Sequence, residues 1–509
     1  MKSESEKIKN KGIVYLVGAG PGRADLITLR GADVLKTADC IICDKLVNPA
    51  LLKFAKRDAE IIHVPKRTGE RSFTQEEINK LLVEKACLGQ KVVRLKGGDP
   101  CIFGRTGQEI AALTKAGINF EIVPGITAAA AAQYAGIILT DRDYSSQLLL
   151  VTGQEAEGKQ ESNIDWSLLA KFKATLVFYM AVGRLDFIVE QLIKNGMSRE
   201  TPAAVIADAS LPTQRTVTAP IQQISEKCKQ QKIEPPAIVV IGPAADTKLN
   251  WLTGRPLFGK NIVITRDDDG NANLAGRIIG RGGIPIALPT IKIKPLTDTT
   301  QFLHTLAKIA EFDWIIFTSV NGVTIFFDVL QELRSDARIF ASAKIAAIGG
   351  ETAAKLEQFG IKADFVPSVY TGIELGRQLI SCANLQGRKV LLLRSALSSN
   401  TLYDLLEQAG AKVDSVAIYT ALTNKTECSR LAKKISNSEI DWLTFASPSS
   451  VRGFFEQIDS RLVNSSSVKV ASIGPATSEQ LENLGIKVDV TANEHTIDGL
   501  LAAIEGTYE

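Results

Sequence analysis

The sequence predicts an α/β protein in two successive parts, on three observations. Short apolar runs alternate with helical patterns through the first half, glycine-rich turns stand at the ends of several of those runs, and the second half repeats itself. Alternation of this kind sets strands beside crossover helices in a largely parallel sheet. The chain has 509 residues, 45% of them apolar and 23% charged. That is ordinary for a globular protein and long enough for about two to four domains.

In chain order the apolar runs of the first half are GIVYLVGAG, CIICD, KVVRLKGGD, LLLVTG, TLVFYM, PAAVIA and PAIVVIG. Between the second and third of these, FTQEEINKLLVEKACLG has helical spacing. Thr74 precedes it with Glu77 three residues on, the pattern of a capping box. The first run ends in Gly18, Gly20 and Gly22 around Pro21. This GxGxG spacing departs from the dinucleotide fingerprint, and only Asp44 stands near the place of the ribose-binding acid. The stretch VVRLKGGDPCIFGR puts Gly97, Gly98, Asp99 and Pro100 directly after a strand. Adjacent glycines admit positive φ and let a ligand approach the backbone, while Asp99 can cap the next helix or receive a ligand hydroxyl. After PPAIVVIG the pattern lapses through AADTKLNWLTGRPLFG, which sets a boundary near Trp251 to Leu257.

The second half matches itself when slid along its own length. GKNIVITR at 259–266 resembles GRKVLLLR at 387–394, and DWIIFTSVNGVTIFF at 313–327 resembles DWLTFASPSSVRGFF at 441–455. KIAAIGGETAAKLEQFGIK at 344–362 resembles KVASIGPATSEQLENLGIK at 469–487. Two similar α/β lobes follow, with a ligand expected between them at the strand ends.

Composition excludes several functions. A net charge of +3 with evenly spread basic residues does not make a nucleic-acid surface. The charged start MKSESEKIKNKG is no signal peptide, and no apolar run reaches the length of a membrane span, so the expectation is a cytosolic protein with no membrane partner. Seven scattered cysteines and three histidines fit reduced thiols and no metal centre. Cys40 and Cys43 form a CxxC inside an apolar run, which reads as buried strand thiols.

The segments VYLVGAGPG, CDKLV, PKRTG, QEEINKLLV, VVRLKGGDPCIFGR, VPGITAAAAAQYAGIILTDR, TLVFYM and PPAIVVIG together resemble the uroporphyrinogen-III C-methyltransferase family, in family order over residues 13 to about 245. The resemblance implies a two-lobed tetrapyrrole methyltransferase fold, S-adenosylmethionine as methyl donor and no metal. It implies a donor site of Pro21, Gly97, Gly98, Asp99, Ile102, Thr127, Ala128, Met180 and Ala209, with Asp44 as candidate base and Lys66 as candidate acid. Core packing for Met180, a strand-end cap for Asp44 and a surface charge for Lys66 stand as alternatives. Arg67, Arg105 and Arg142 suit a substrate rich in carboxylates, because guanidinium forks pair with them bidentately. The chain departs from the family at Arg23 and Ala24, where acidic or prolyl residues are common, and at Arg71, Asp141 and Gln154, where histidine is frequent. A homodimer is carried over from the family.

In the second half PLFGKNIVITR, FTSVNGV, AAIGGETAAKL, LLLRS, AIYTA, FASPSSV and SIGPATSEQL resemble uroporphyrinogen-III synthase. The implied division is a methyltransferase over 1–250, a linker over 251–258 and a synthase over 259–509. One synthase lobe would take 259–294 and 422–509, the other 295–421. That family closes hydroxymethylbilane into a ring with its last pyrrole inverted and water lost. Tyr419 is the candidate for assisting departure of the hydroxyl, with Ser319, Thr352, Ser447, Ser449 and Thr477 as substrate contacts, and helix capping is the other reading of these hydroxyls. The glycines of GGET and GPAT would offer helix N-terminal amides to carboxylates. One half's product is the other's substrate, so consecutive steps are expected. A methyltransferase of a later precorrin and a non-catalytic tetrapyrrole sensor remain the competing readings.

Overall fold

In the computed structural model every apolar run named for the first half forms a strand, as expected where aliphatic and β-branched side chains are covered on both faces of a sheet. The structure describes residues 11–56, 58–64, 73–154, 163–246, 249–266, 268–340, 343–424 and 428–508. The chain divides into two units, Met1–Gly259 and Lys260–Glu509.

The first unit begins with β1 (Ile13–Gly18), β2 (Cys40–Asp44), β3 (Glu60–Val64), β4 (Lys91–Lys96) and β5 (Asn119–Val123). They lie in the order β3-β2-β4-β1-β5, and every adjacent pair is parallel. Helix Leu29–Thr37, which follows β1, packs on one face of this sheet. Helices Gln75–Cys87 and Thr106–Lys115 cover the other. The helices that follow the neighbouring strands β1 and β4 therefore pack on opposite faces, which makes the carboxyl ends of these strands a topological switch point. The expected capping box closes at the start of Gln75–Cys87: Glu77 N–H donates to Thr74 Oγ1 at 3.1 Å and Thr74 N–H to Glu77 Oε2 at 2.8 Å.

A second sheet of this unit contains β6 (Leu148–Thr152), β7 (Thr175–Tyr179), β8 (Pro202–Ala207), β9 (Arg215–Pro220) and β10 (Ala237–Ile241), ordered β6-β7-β10-β8-β9. Only β6 and β7 pair in parallel; the other contacts are antiparallel. The alanine-rich turn Ala128–Ala135 packs on this sheet, its small side chains allowing close approach. The segment 251–258, expected as a linker, instead docks on the first unit. Trp251 Nε1 donates to Gln133 O at 2.7 Å and its ring meets Tyr134 at 5.1 Å. Leu252 and Leu257 are buried, so burial of apolar surface fixes the segment.

In the second unit the chain lays down β11 (Asn261–Ile264) and β12 (Ile284–Ala287) and then crosses to another sheet. There it forms β13 (Ile291–Pro295), β14 (Trp314–Phe317), β15 (Lys344–Ala347), β16 (Lys389–Ser395) and β17 (Lys412–Thr423). It returns as β18 (Trp442–Phe445), β19 (Lys469–Ser472) and β20 (Val490–Thr491). The sheet orders are β12-β11-β18-β19-β20 and β13-β17-β16-β14-β15. Strand β13 pairs antiparallel with the far half of β17, so residues 291–294, assigned from the sequence to the first lobe, lie in the second lobe's sheet. Where the chain crosses and returns, Asn424 binds the carbonyls of Thr290 and Pro289, both at 2.9 Å. No helix among the described residues is long and apolar enough to cross a membrane.

Candidate functional site

Three glycine-bearing loops meet at the carboxyl ends of the strands of the first sheet. Gly98 N–H donates to Gly20 O at 2.8 Å and Gly20 N–H to Gly98 O at 3.2 Å, zipping the loop after β1 to the loop after β4. Both glycines have positive φ, +80° at Gly20 and +69° at Gly98. A third loop closes behind them, since a Cβ on Gly125 would stand 2.3 Å from Gly98 O and 2.7 Å from Gly18 Cα. Asp99 locks the arrangement by accepting from Cys101 N–H at 2.8 Å and Gly125 N–H at 3.0 Å. The sequence reading gave the glycine-loop amides and Asp99 to a ligand. In the fold Gly98 and Asp99 first tie loops together, which leaves Gly97, exposed and with only Leu46 near its absent Cβ, as the open backbone of the cradle.

The second sheet supplies the opposite wall. Tyr179, at the end of β7, shares a hydrogen bond of 2.6 Å with Thr127 and accepts from Ala129 N–H at 2.9 Å, while its ring meets Phe103 at 5.1 Å. Burial pushes the Tyr179 phenol above its ordinary pKa, so it stays a neutral hydrogen-bonding group. Tyr179→Phe is expected to cost about 1–2 kcal/mol in urea unfolding, the price of leaving the buried Ala129 N–H and the half-buried Thr127 hydroxyl without this partner. Met180 follows with φ +54° and stands half exposed. Phe103, Arg105, Asp208 and Ser210 also have positive φ in loops bordering the cradle. Such backbone strain gathers where a binding site is over-determined by its surroundings. Arg23 N–H reaches Ser210 Oγ at 3.1 Å, and a Cβ on Gly22 would meet Ala209 O at 3.0 Å, bringing the loop after β8 to the loop after β1.

The candidate donor-site residues therefore lie in strand-end loops of the first unit, with Ala128 at the start of the alanine-rich turn, and hydrogen bonds and close backbone approaches tie these loops together. Ile102 and Met180 are exposed. Arg105 and Arg142 are exposed as well. Lys66, Arg67 and Arg71 lie outside the described residues.

Asp44 ends β2 with its side chain 21% exposed. Arg94 Nη2 donates to Asp44 Oδ1 at 2.5 Å, and Arg94 Nε to Glu109 Oε1 at 3.0 Å. Lys96 Nζ donates to Glu109 Oε2 at 2.7 Å. Burial works against the Arg94 charge, but Asp44 and Glu109 more than offset it and raise its pKa; burial of Lys96 prevails and lowers that ammonium. The sequence reading missed this set, although two cations on one face of the apolar run VVRLK were its signal. Cys40 and Cys43 are buried strand thiols as expected, both pushed up to about 11 by burial. Among the described residues no group of three His, Cys, Asp or Glu side chains could hold a metal.

In the second unit a cleft of about 260 Å³ opens between the two sheets, lined by Tyr419, Ser447, Ser449 and Asn321 with the cations Arg266 and Arg452. Tyr419 sits where a bulge shifts the register between β16 and β17, a distortion that re-aims a side chain. Its hydroxyl donates to Ser319 Oγ at 3.0 Å. Ser319 and Ser447 also cap helices, accepting from Gly322 and Ser450 N–H at 3.0 and 3.1 Å. Thr352 and Thr477 are 4% and 2% exposed. Each shares the inward helix face with a leucine four residues on, Leu356 or Leu481, so its side chain packs inside a lobe and offers a ligand almost no surface, contrary to expectation. Arg266 and Arg452 were not singled out from the sequence, where they look like any surface arginine.

Comparison with known proteins divides the chain at the same place. Residues 13–225 match the Tetrapyrrole (Corrin/Porphyrin) Methylases family, and residues 272–502 match uroporphyrinogen-III synthase HemD. The chain is 35% identical over 493 residues to the porphyrin biosynthesis protein HemD of Ruminiclostridium josui, covering 96% of this chain and 97% of that one. It is 47% identical over 234 residues to a uroporphyrinogen-III C-methyltransferase of Methanocaldococcus jannaschii, covering 45% of this chain and 96% of the relative. A solved uroporphyrin-III C-methyl transferase of Thermus thermophilus, complexed with S-adenyl homocysteine, is 34% identical with a TM-score of 0.40, covering 46% of this chain and 94% of that one.

Proposed function

We propose, from the premise that this chain belongs to the HemD porphyrin-biosynthesis family, in which a tetrapyrrole methylase is joined to a uroporphyrinogen-III synthase, that it catalyses two consecutive steps. The second unit cyclises hydroxymethylbilane to uroporphyrinogen III, inverting ring D and losing water. The first unit then methylates that product twice to precorrin-2. The observation that carries this reading is that each matched family falls on one structural unit, the first with its glycine loops joined at the strand ends and the second with a cleft between its two sheets.

The methyl donor implied by the family is S-adenosylmethionine, which supplies an electrophilic sulfonium methyl when bound. The residues present fit it. Gly97 leaves open backbone for the donor's polar end, Asp99 and Gly98 hold the cradle rigid, and half-exposed Met180 offers a polarizable wall to an aromatic base. Ile102, Thr127, Ala128, Pro21 and Ala209 complete the walls. The chain's work in methyl transfer is alignment and exclusion of water, which supply much of the rate in reactions of this kind. A proton then leaves the tetrapyrrole, and Asp44, gripped at one oxygen, is the proposed acceptor. Lys66 stays the proposed acid, with Arg67, Arg105 and Arg142 as carboxylate partners.

Ring closure needs less chemistry, because the substrate is intrinsically reactive. Arg266 and Arg452 are proposed to anchor substrate carboxylates across the cleft, Ser447 and Ser449 to add neutral contacts, and Tyr419 Oη to turn its single proton from Ser319 Oγ to the departing hydroxyl. We place the enzyme in the cytoplasm as a homodimer through its first unit; sedimentation should give twice the chain mass.

Purified protein given hydroxymethylbilane and S-adenosylmethionine should yield a dimethylated type III tetrapyrrole by mass spectrometry. Uroporphyrinogen I as the sole product would sink the reading for both units.

A further inference from the structure

The charged set behind Asp44 has no evident stabilising purpose. Arg94 and Glu109 are wholly buried and Lys96 nearly so. Buried ion pairs rarely improve on apolar side chains of the same volume, because desolvation cancels most of the attraction. What the arrangement does provide is rigidity. Ile42 lies opposite Arg94 in the pairing of β2 with β4, which puts Asp44 two residues further on, on the same sheet face and at the open strand end. The guanidinium is held by Glu109 Oε1 at 3.0 Å and also approaches the carbonyls of Ile42 and Leu95 at 3.3 and 3.4 Å. Only then does its remaining nitrogen grip Asp44 Oδ1. Lys96, on the second oxygen of Glu109, fixes that carboxylate in turn and balances the charge. A planar guanidinium fastened on several sides passes its orientation to the group it binds.

Resting on the reading of Asp44 as the methylation base, we infer that Arg94 and Glu109 are positioning residues that hold the Asp44 carboxylate in one orientation at the strand end. They touch no substrate and act through Asp44. A loss of that orientation lowers turnover without weakening donor binding, and a misplacement on the order of 1 Å in such a site costs about a hundredfold in rate.

The test is a double-mutant cycle on the full chain, with uroporphyrinogen III and S-adenosylmethionine as substrates. Asp44→Asn, Arg94→Lys and the double variant are compared for kcat and KM, with calorimetric titration of S-adenosylhomocysteine and a thermal melt of each. Glu109→Gln, which keeps the guanidinium, runs in parallel in case Arg94→Lys does not fold. The expected result is a fall in kcat of about tenfold to a hundredfold for Arg94→Lys, an unchanged Kd for S-adenosylhomocysteine, and less than a twofold further fall when it is added to Asp44→Asn. Effects that multiply in the double variant would overturn the positioning role and leave the base intact. Full turnover by Asp44→Asn would overturn both, and is distinguishable because it appears in the single variant. A weakened Kd for S-adenosylhomocysteine in Arg94→Lys would also overturn the inference, by assigning Arg94 to the donor cradle.

Discussion

Gly125→Ala is expected to weaken binding of the methyl donor by up to about a hundredfold while leaving ring closure untouched. Its Cβ would stand 2.3 Å from Gly98 O and 2.7 Å from Gly18 Cα, distances at which backbone atoms must move apart. No flexible side chain is there to yield. The Gly20–Gly98 bridge lies in the same contact, so the displacement spreads to the loops after β1 and β4 together. Overpacking of this kind costs about 1–3 kcal/mol of stability, which a unit with its own extensive core can survive. The cradle cannot keep its shape. Calorimetry with S-adenosylhomocysteine should show binding weakened by up to about a hundredfold, the upper end of what that strain converts to. Conversion of hydroxymethylbilane by the second unit in the same preparation is the internal control. Unchanged donor affinity would mean that the meeting of the three loops is not the donor site.

Asp44→Asn is expected to lower methyl transfer by about a hundredfold to ten-thousandfold, the range for loss of a positioned proton acceptor. The substitution keeps the shape and the hydrogen-bonding capacity of the side chain but removes its basicity. Donor binding and ring closure should stay at wild-type levels, so the effect falls on kcat of one activity alone. Arg94 then faces an amide where it had a carboxylate, and a modest fall in melting temperature is expected alongside. A variant with full methylation would remove Asp44 from the mechanism and return it to the role of a strand-end cap.

Part of the junction of the glycine loops was legible because it is built from what is missing, although Gly125 was not singled out in the sequence. Gly20 and Gly98 require positive φ and Gly18 and Gly125 require the absence of Cβ, and both constraints are written into residue identity. The capping box at Thr74 and Glu77 is likewise local. The set behind Asp44 was hidden for the opposite reason. Its members stand 50 and 15 positions apart along the chain, and Arg94 and Lys96 look like charges on an ordinary strand until β2 and the helix Thr106–Lys115 close over them. Thr352 and Thr477 failed as ligand contacts because a helix face turns inward or outward according to what it packs on.

The repeat shows the same division most clearly. Self-similarity established two like lobes, since equivalent residue patterns make equivalent strands. The self-similarity did not say how the lobes are assembled; the division implied by the family resemblance, 259–294 with 422–509 against 295–421, did, and the structure moves residues 291–294 across. Of the first copy, GKNIVITR becomes β11 in one sheet while the strand before FTS becomes β14 in the other; of the second, GRKVLLLR becomes β16 beside β14 and the strand before FAS becomes β18 beside β11. Each lobe is completed by segments from both copies. By itself the sequence determined the α/β elements, the glycine turns and the kinship of the two halves to known enzymes, because periodicity and backbone freedom act over a few residues. Strand partners, the charges sealed behind Asp44 and the side chains that line the second unit's cleft were decided by tertiary structure, since pairing and burial depend on contacts between residues far apart in the chain.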